Sequence, residues 1–363
     1  MRFRQIWIIL IMAAVIAAAA VTGGCTVARV NETETEAGDQ SSNIFTMGTV
    51  FSVRVISDNA QDLLAKVQST LYAQDSMLSW RTEGSLDSQF NEKHQADMSS
   101  VSDLIELTLD VCKKSNGALD PTVLPLTKLW QFDKMEDTDF DVSKMKVPAA
   151  ADIQTALKDV DYKKLEFDQD TGILRTDDTA IQLELGAVGK GYAIDQALDV
   201  IKDGGAGGAL ISAGSSIGAM GHKEDGSNYT ISIRDPRGEE SDYIGLLHTT
   251  DCTISTSGDY ERYFTQDGKR YHHILDPHTG YPADSGLMQV TVICGSGALG
   301  DALSTACFVL GLDKGMQLAK EYNVLAIFVD TDKNIWYNSK DVLSILDFTG
   351  KDSGYTLREY TYN

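Results

Sequence analysis

Proline, cysteine and positive charge are all scarce in this sequence of 363 residues. With 6 prolines and 42% hydrophobic residues, the composition excludes a chain that is disordered throughout. The five cysteines follow no spacing typical of a zinc site, so we assign them no metal chemistry. Because 31 Lys and Arg stand against 53 Asp and Glu, the formal charge is −22, which argues against nucleic acid or an anionic lipid surface as a partner. A substrate with phosphate groups must therefore be held locally, by a metal ion, a lysine or backbone amides.

The first 24 residues differ from the rest of the chain. Arg2 and Arg4 precede an apolar run over residues 6–21, and small residues follow it, which is the pattern of an export signal. The run is shorter than the roughly 20 apolar residues that a membrane-spanning helix needs. Cys25, directly after two glycines, stands where a bacterial lipoprotein carries its lipidated cysteine. We therefore predict a signal peptide over residues 1–24 and lipidation of Cys25, with an uncleaved N-terminal anchor as the alternative.

The rest of the chain divides into a short polar stretch and one long domain. Residues 25–43, which include Cys25, are mostly polar and acidic and show no hydrophobic periodicity, so we predict a flexible tether. Residues 44–363 contain no second linker and no internal repeat, and we interpret them as a single domain. The predicted location is outside the cytoplasm, with a lipid anchor in the cell (inner) membrane.

Hydrophobic periodicity within the domain switches between helical and strand patterns without a regular βαβ order. Helices are predicted over residues 59–78, 100–115, 150–160, 190–202 and 298–310. Strands are predicted over residues 50–56, 181–185, 229–235, 287–293 and 324–330. This mixture favours an α+β architecture over a doubly wound parallel sheet.

A glycine-rich segment over residues 295–306 (GSGALGDALSTA) contains a carboxylate and a hydroxyl four residues apart. If the segment is a turn followed by a helix start, Asp301 and Thr305 share one helix face. Hard oxygen ligands of this kind suit Mg²⁺. In the alternative interpretation Asp301 complements the helix dipole and Thr305 bonds to the helix backbone. The segment taken alone leaves both interpretations open.

A second glycine-rich segment covers residues 184–195 (ELGAVGKGYAID) and has the pattern of a strand end, a turn and a helix start. Gly186, Gly189 and Gly191 allow the backbone to approach a ligand closely. Exposed amides there, together with Lys190, are able to hold phosphate groups. Tight packing is the alternative role for the same glycines.

Three of the six histidines lie close together, at positions 272, 273 and 278. Histidine suits proton transfer near neutral pH. Because adjacent residues on a strand point to opposite faces, only one of His272 and His273 is expected to enter a given pocket. Earlier in the chain, residues 116–130 form a loop punctuated by prolines, which either lines a flat apolar ligand or packs as an ordinary loop.

In their amino-acid sequence and in their order along the chain, seven blocks resemble the ApbE family of FAD:protein FMN transferases. The blocks are MGT (47–49), SQFN (88–91), GALDPTV (117–123), ELGAVGKGYAID (184–195), ISTSGDY (254–260), HILDP (273–277) and DALSTA (301–306). They extend over most of the predicted domain, from about residue 46 to residue 311. The resemblance implies an α+β fold with mixed, largely antiparallel sheets and surrounding helices.

The resemblance also implies an activity and a set of site residues. The enzyme would take FMN from FAD, its substrate, and attach it in a Mg²⁺-dependent reaction to a Thr or Ser of an exported or membrane flavoprotein subunit, with release of AMP. Asp301, Thr305 and the backbone carbonyl of Ala187 match the Mg²⁺ ligands, with Ser304 assisting. His273 matches the histidine that activates the acceptor hydroxyl, so His273 and Asp301 are the expected catalytic residues. The FAD-contacting positions are matched by Met47, Trp80, Ala118, Leu119, Asp120, Glu184, Lys190 and Leu275.

The sequence departs from the family pattern at several positions. Glu184 replaces the usual Asp, and Gly189 replaces Ala. Residues 213–219 (AGSSIGA) replace a Gly-Gly-Asn/Asp-Ile stretch, and His278 replaces Arg, which changes the polar groups available at both places.

Two other functions would use the same residues. One is a Mg²⁺-dependent FAD pyrophosphatase, in which water replaces the protein hydroxyl and the products are FMN and AMP. The other is a non-catalytic flavin-binding lipoprotein. The metal pair and His273 argue against the second, because binding alone needs neither.

Overall fold

The computed structural model of the protein describes residues 38–137 and 139–362. The predicted signal peptide, Cys25 and the tether up to residue 37 lie outside these residues. No helix in the described part of the chain is long and apolar enough to cross a membrane.

Helices and strands alternate irregularly along the described chain. The α-helices are α1 (Ala60–Leu78), α2 (Leu86–Lys93), α3 (Ser102–Lys114), α4 (Leu124–Trp130), α5 (Ala150–Ala156), α6 (Gly186–Asp203), α7 (Gly297–Glu321) and α8 (Asp341–Ile345). The strands are β1 (Asp39–Thr46), β2 (Thr49–Ile56), β3 (Gln95–Asp97), β4 (Glu166–Asp168), β5 (Ile173–Arg175), β6 (Gly208–Ala213), β7 (Ser216–Gly221), β8 (Tyr229–Arg234), β9 (Tyr243–Thr249), β10 (Cys252–Gly258), β11 (Tyr263–Gln266), β12 (Lys269–His272), β13 (Leu287–Cys294), β14 (Leu325–Asp330), β15 (Asn334–Tyr337), β16 (Leu346–Phe348) and β17 (Thr356–Glu359). Helix α7 is interrupted at Gly311, where φ is 77° and the backbone is not helical.

A nine-stranded sheet forms the centre of the fold, in the order β1-β2-β6-β7-β10-β13-β14-β15-β17. Every neighbouring pair in it is antiparallel except β15 and β17, which are parallel. Three small sheets have the orders β11-β12, β16-β9-β8 and β3-β5-β4. The structure therefore confirms the predicted α+β class with largely antiparallel sheets.

Apolar side chains cover both faces of the central sheet. On strand β14, Phe328 packs into the core on the α7 side, while the adjacent Ile327 packs into a second core with the β8–β9 sheet. Helix α1 places Leu63, Val67 and Leu71, each four residues after the last, against β2 and α6. The period of two in the strands and of about four in the helices explains why most elements are found close to their predicted limits.

The predicted strand over residues 181–185 is absent. Alternate residues are buried there as expected, but the neighbours are side chains of α2. Asn91 accepts a hydrogen bond from the Leu183 N–H (2.6 Å) and donates one to the Leu183 carbonyl (3.0 Å), and Asp87 accepts one from the Leu185 N–H (3.0 Å). The prediction is wrong because alternation indicates which face is buried and says nothing about whether the partner is a strand.

Strand β1 begins inside the segment predicted as a flexible tether. It pairs with β2 over its whole length, and the Arg54 side chain donates to the Asp39 carboxylate (Nε to Oδ1, 2.8 Å). The prediction of a tether is therefore wrong for residues 39–43, and the ordered domain begins before residue 44. The polar sequence of residues 39–43 gives no sign of a strand, because the backbone of β1 is hydrogen-bonded to β2 and such bonds need no apolar side chains.

Candidate functional site

Helices α6 and α7 meet at two glycines near the start of each helix. A Cβ atom on Gly191 would lie 2.0 Å from the carbonyl oxygen of Gly297, so the two backbones are in direct contact. The start of α7 is fixed by Asp195, whose carboxylate accepts hydrogen bonds from the amides of Gly297 (2.6 Å) and Ala298 (3.1 Å). The first turns of both helices therefore lie side by side.

Asp301 lies in the second turn of α7 at this contact and is only 6% exposed. Its Oδ2 accepts a hydrogen bond from the Gly191 amide (2.7 Å), and its Oδ1 accepts one from the Ser216 hydroxyl of β7 (2.7 Å). In a regular helix the Gly191 amide donates to the carbonyl of Ala187, four residues earlier. Asp301 is thus an acceptor for the Gly191 amide from outside α6, and Ala187 stands one turn before that amide on the same helix.

Three hydroxyl groups continue from Asp301 toward β10. Thr305 follows Asp301 by one turn, and its Oγ1 lies 3.3 Å from the Ser257 hydroxyl. The same Ser257 oxygen is 2.9 Å from the Ser304 hydroxyl, which also lies 3.1 Å from the Asp301 carbonyl oxygen. The helix face that carries Asp301 and Thr305 is thus lined with oxygen atoms, as the sequence predicts.

The groups at this contact fit a magnesium ion. They are one carboxylate, one backbone carbonyl and several hydroxyls, all hard oxygen donors, and Mg²⁺ usually binds to one or two carboxylates together with substrate phosphates and water. In residues 38–137 and 139–362, no three His, Cys, Asp or Glu side chains converge into a cluster that could hold a metal ion by themselves. The donor set therefore fits a cation that is shared with a phosphate-bearing substrate.

His273 directly follows β12. Its amide donates to the Arg262 carbonyl (2.9 Å), and its Nδ1 lies 3.3 Å from the same oxygen. Burial, reinforced by the nearby charges of Arg262 and Lys190, lowers the pKa of His273 well below its usual range. The ring is therefore neutral at pH 7, and with Nδ1–H donating to the carbonyl, Nε2 is the atom able to accept a proton.

The adjacent His272 points the other way, into the core. Its Nε2 donates to the Ala283 carbonyl (3.0 Å), and its ring meets Phe308 edge-on with 5.5 Å between ring centroids. Burial lowers the pKa of His272 as well. The two histidines thus divide as expected for neighbours at a strand end, with His272 packing inside and His273 beside Lys190.

The extended segment before α6 brings two further predicted residues together. Glu184 accepts a hydrogen bond from the Thr127 hydroxyl (2.8 Å), and its amide donates to the Pro121 carbonyl (2.8 Å). Next to Thr127, the Lys128 ammonium lies over the Trp80 ring, 4.7 Å from the centroid. Burial lowers the pKa of Lys128. An aromatic face, a carboxylate and an ammonium group therefore converge at the last turn of α4.

Met47 lies in the turn between β1 and β2. Its φ is 50°, and its amide donates to the Asp75 carboxylate (2.9 Å). The Met47 methyl group would be 3.3 Å from a Cβ on Gly189. The glycine that replaces the usual alanine therefore leaves space for this methionine beside the first turn of α6.

The predicted loop residues Ala118, Leu119 and Asp120 are all buried. Asp120 accepts hydrogen bonds from the amides of Thr122 (2.8 Å) and Tyr162 (2.9 Å), so its carboxylate shapes the loop. Burial raises the pKa of Asp120. Leu275, also predicted to contact FAD, packs into an apolar cluster with Leu126, Trp130, Phe132, Met145, Ile153 and Phe264.

Ala118 borders an open pocket of about 880 Å³. The pocket lies between the loop after α3, the turn that follows His273, and the second half of α7. Its lining residues are Lys114, Ser115, Asn116, Ala118, Asp276, His278, Val309, Leu310, Lys314, Gln317, Leu318, Lys320 and Glu321.

Three residues that hold the site together were not predicted from the sequence. Ser216 lies in the segment that departs from the family pattern, Ser257 lies within the ISTSGDY block, and Asp195 closes the block over residues 184–195. Each bonds to a group that is 47 to 102 residues away in the chain. Ser257 and Asp195 lie in blocks that resemble the family, but nothing in the local sequence pattern indicates which groups they bond to.

Comparison with known proteins identifies the relatives of this fold and site. A model of the ApbE family matches residues 47–328. FAD:protein FMN transferase of Klebsiella pneumoniae (strain 342) is 33% identical over 296 residues, which cover 78% of this chain and 82% of that protein. FAD:protein FMN transferase of Treponema pallidum (strain Nichols) is 30% identical over 311 residues, which cover 80% and 84%.

Solved structures agree with this result. The apo form of the flavinyl transferase ApbE of Pseudomonas stutzeri superimposes with a TM-score of 0.68 at 32% identity, covering 80% of this chain and 92% of that one. The ApbE protein of Thermotoga maritima gives a TM-score of 0.72 at 28% identity, covering 87% and 98%.

Proposed function

Because the chain belongs to the ApbE family and is an FAD:protein FMN transferase, we propose that it transfers FMN with the help of Mg²⁺ to a Thr or Ser hydroxyl, releasing AMP. The observation that carries this proposal is the contact between α6 and α7. There, the Asp301 carboxylate accepts a hydrogen bond from the Gly191 amide, one helical turn after Ala187, and the positive charge of Lys190 helps to lower the pKa of His273.

Asp301, Thr305 and the carbonyl of Ala187 would hold the metal ion. When bound, Mg²⁺ neutralises charge on the pyrophosphate of FAD during the transfer. The chain prepares this place by orienting Asp301 with two donors, the Gly191 amide and the Ser216 hydroxyl. Since both donors come from the folded backbone and a buried strand, the carboxylate is already held before substrate arrives.

His273 is the proposed general base. Its Nε2 takes the proton of the acceptor hydroxyl, whose oxygen forms a bond to the phosphorus on the FMN side of FAD. The bond from that phosphorus to the bridging oxygen breaks, and AMP leaves with the bridging oxygen. Lys190, close enough to lower the pKa of His273, supplies positive charge beside the phosphates.

The remaining predicted residues would position FAD. Met47 and Glu184 lie near the start of α6, and Trp80 and Glu184 contact the second half of α4 through Lys128 and Thr127. An aromatic face and polar groups converge there, a combination that suits a flavin site. Ala118 borders the open pocket, whereas Leu119, Asp120 and Leu275 are buried and do not line it. We therefore assign direct contact to the first group and to Ala118, and a supporting role to the other three.

We also propose that the enzyme acts outside the cytoplasm. The basic and apolar residues before Cys25 support export and a lipid anchor in the inner membrane. An enzyme held there would modify exported or membrane flavoprotein subunits. The resemblance implies an acceptor motif that pairs Asp-Gly with a later Ser/Thr-Gly-Ala. Residues 203–209 (DGGAGGA) lack the hydroxyl of that motif, so the acceptor is expected to be a different protein.

The test uses the purified chain with FAD, Mg²⁺ and a candidate acceptor peptide that contains a Thr. Intact-mass analysis should show one FMN added per peptide, with one AMP released, and EDTA should abolish both. Asp301→Ala should abolish transfer, while Asp203→Ala, on the exposed end of α6, should not.

Two results would contradict parts of the proposal. Free FMN and AMP without a peptide adduct would show a pyrophosphatase. Transfer that survives both EDTA and Asp301→Ala would overturn the assignment of the metal ligands.

A further inference from the structure

A hydrogen-bonded turn follows His273, and its last residue, Gly280, is bonded to the side chain of the buried Trp130. Within it, Asp276 Oδ1 accepts hydrogen bonds from the His278 amide (2.9 Å) and from the His278 ring at Nδ1 (3.0 Å). The Gly280 carbonyl accepts a hydrogen bond from the indole of Trp130 (2.8 Å). The His278 ring is thus oriented by a carboxylate in a turn that is itself attached to the core.

The loop that follows α3 lies opposite this turn. It changes direction at Asn116 and Gly117, which both have left-handed backbone conformations, with φ of 54° and 83°. The carbonyl oxygen of Asn116 is 2.9 Å from Nε2 of His278. This contact joins two segments that are 162 residues apart in the chain.

Both partners of the His278 ring are acceptors only. A hydrogen on Nδ1 is donated to Asp276 and a hydrogen on Nε2 is donated to the Asn116 carbonyl, so a ring that carries both hydrogens makes both contacts at once. The two joined segments form adjacent parts of the wall of the 880 Å³ pocket, in which Asn116, Ala118, Asp276 and His278 all take part. Removing the Nε2 contact would free the loop at the point where its backbone has the least common conformation.

We propose that His278 is a positioning residue that fastens the 116–120 loop and thereby sets the affinity for FAD. The inference rests on the proposed function, because Ala118 in this loop is one of the proposed FAD contacts. His278 stands where the resemblance implies an arginine, so this chain fastens the loop with a different side chain. The expected effect is on binding of FAD and not on the transfer step, since His278 acts through the loop.

The test compares two variants that each keep one of the two ring contacts. Gln places an amide N–H near the position of Nε2, and Asn places one near the position of Nδ1. His278→Gln therefore keeps the contact to Asn116, and His278→Asn keeps the contact to Asp276. His248→Gln is the control, because His248 is another exposed histidine that bonds to a side chain, the Thr230 hydroxyl (3.1 Å).

With the full chain, His278→Asn should raise both the Kd and the KM for FAD by about threefold to tenfold, as expected for the loss of one hydrogen bond. Its kcat should stay within about twofold of the wild-type value. His278→Gln and His248→Gln should bind FAD as the wild type does. Hydrogen exchange should accelerate in peptides covering residues 113–122 in His278→Asn alone.

The inference is overturned if His278→Asn binds FAD as tightly as the wild type, or if both His278 variants lose kcat equally. A wild-type chain that binds FAD without transferring FMN contradicts the proposed function instead. In that case the Kd and the exchange rates still decide the role of His278. A chain that does not bind FAD at all overturns both.

Discussion

Adding a single methyl group at Gly191 should damage both the fold and the site. A Cβ there would lie 2.0 Å from the carbonyl oxygen and 2.2 Å from the carbonyl carbon of Gly297. Both are backbone atoms of α7, so no side chain can rotate out of the way. The variant Gly191→Ala can fold only if the two helices move apart.

The size of the effect follows from these distances. Ordinary contact begins near 3.4 Å, so the helices must separate by about 1.4 Å. Overpacking of this kind costs about 1–3 kcal/mol. The same movement weakens the 2.7 Å bond between the Gly191 amide and Asp301, which adds about 1–3 kcal/mol. We expect a total loss of about 2–6 kcal/mol, or about 3–9 °C in Tm for a domain of this size.

Gly186 provides a matched control on the same helix. A Cβ at Gly186 meets nothing within 4 Å, so Gly186→Ala should gain up to about 1 kcal/mol from helix propensity. Calorimetry of the two variants should therefore give Tm shifts of opposite sign, and Gly191→Ala should also lose FMN transfer. A Gly191→Ala protein with wild-type Tm and activity would refute the claim that this glycine contact holds the site together.

Three further predictions concern charged and polar groups. Burial raises the pKa of Asp87 well above its usual range, so the contribution of Asp87 to stability falls as the pH rises above about 4. The variant Asp87→Asn should therefore match the wild-type Tm at pH 4 and exceed it at pH 8, and equal Tm values at pH 8 would contradict this. Because the pKa of His273 lies well below its usual range, the transfer rate at saturating FAD and Mg²⁺ should be constant from pH 8 to about 6.5 and decline only below; a midpoint above that pH would exclude His273 as the base. Ser216→Ala removes one of the two donors to Asp301 and should raise the Mg²⁺ concentration for half-maximal transfer by about tenfold. The control variant Ser215→Ala should leave that concentration unchanged. Mn²⁺ binding, followed by electron paramagnetic resonance, measures the affinity for the metal independently of activity.

Nine of the ten predicted helices and strands are found, because each of them buries one face. Other strands of the central sheet, such as β6, β7 and β10, were not predicted. The helix over residues 60–78 and the strand over residues 49–56 are found within one residue of the predicted limits. Two predictions failed at places where the partner is distant in the chain. Residues 181–185 are held by side chains of α2, and residues 39–43 are held by the backbone of β2. No periodicity within either segment reveals these partners.

The site was only partly predictable, for a related reason. The spacing of Asp301 and Thr305 puts both on one face of α7, but the same spacing fits a helix cap. The structure adds that the Asp301 carboxylate accepts hydrogen bonds from α6 and β7, which are not part of its own helix. These contacts depend on the packing of three separate elements, and an amino-acid pattern within one element does not contain them.

The glycines of residues 186–191 show why the sequence left two interpretations open. Ligand approach and tight packing are alternatives only if all three glycines act in the same way, and they do not. Gly191 touches the backbone of α7, Gly189 leaves space for the methyl group of Met47, and Gly186 faces open space. Packing at Gly191 is what brings its amide to the Asp301 carboxylate. In this segment close packing therefore positions the carboxylate that we propose as a metal ligand, and packing and ligand approach are not exclusive roles for these glycines.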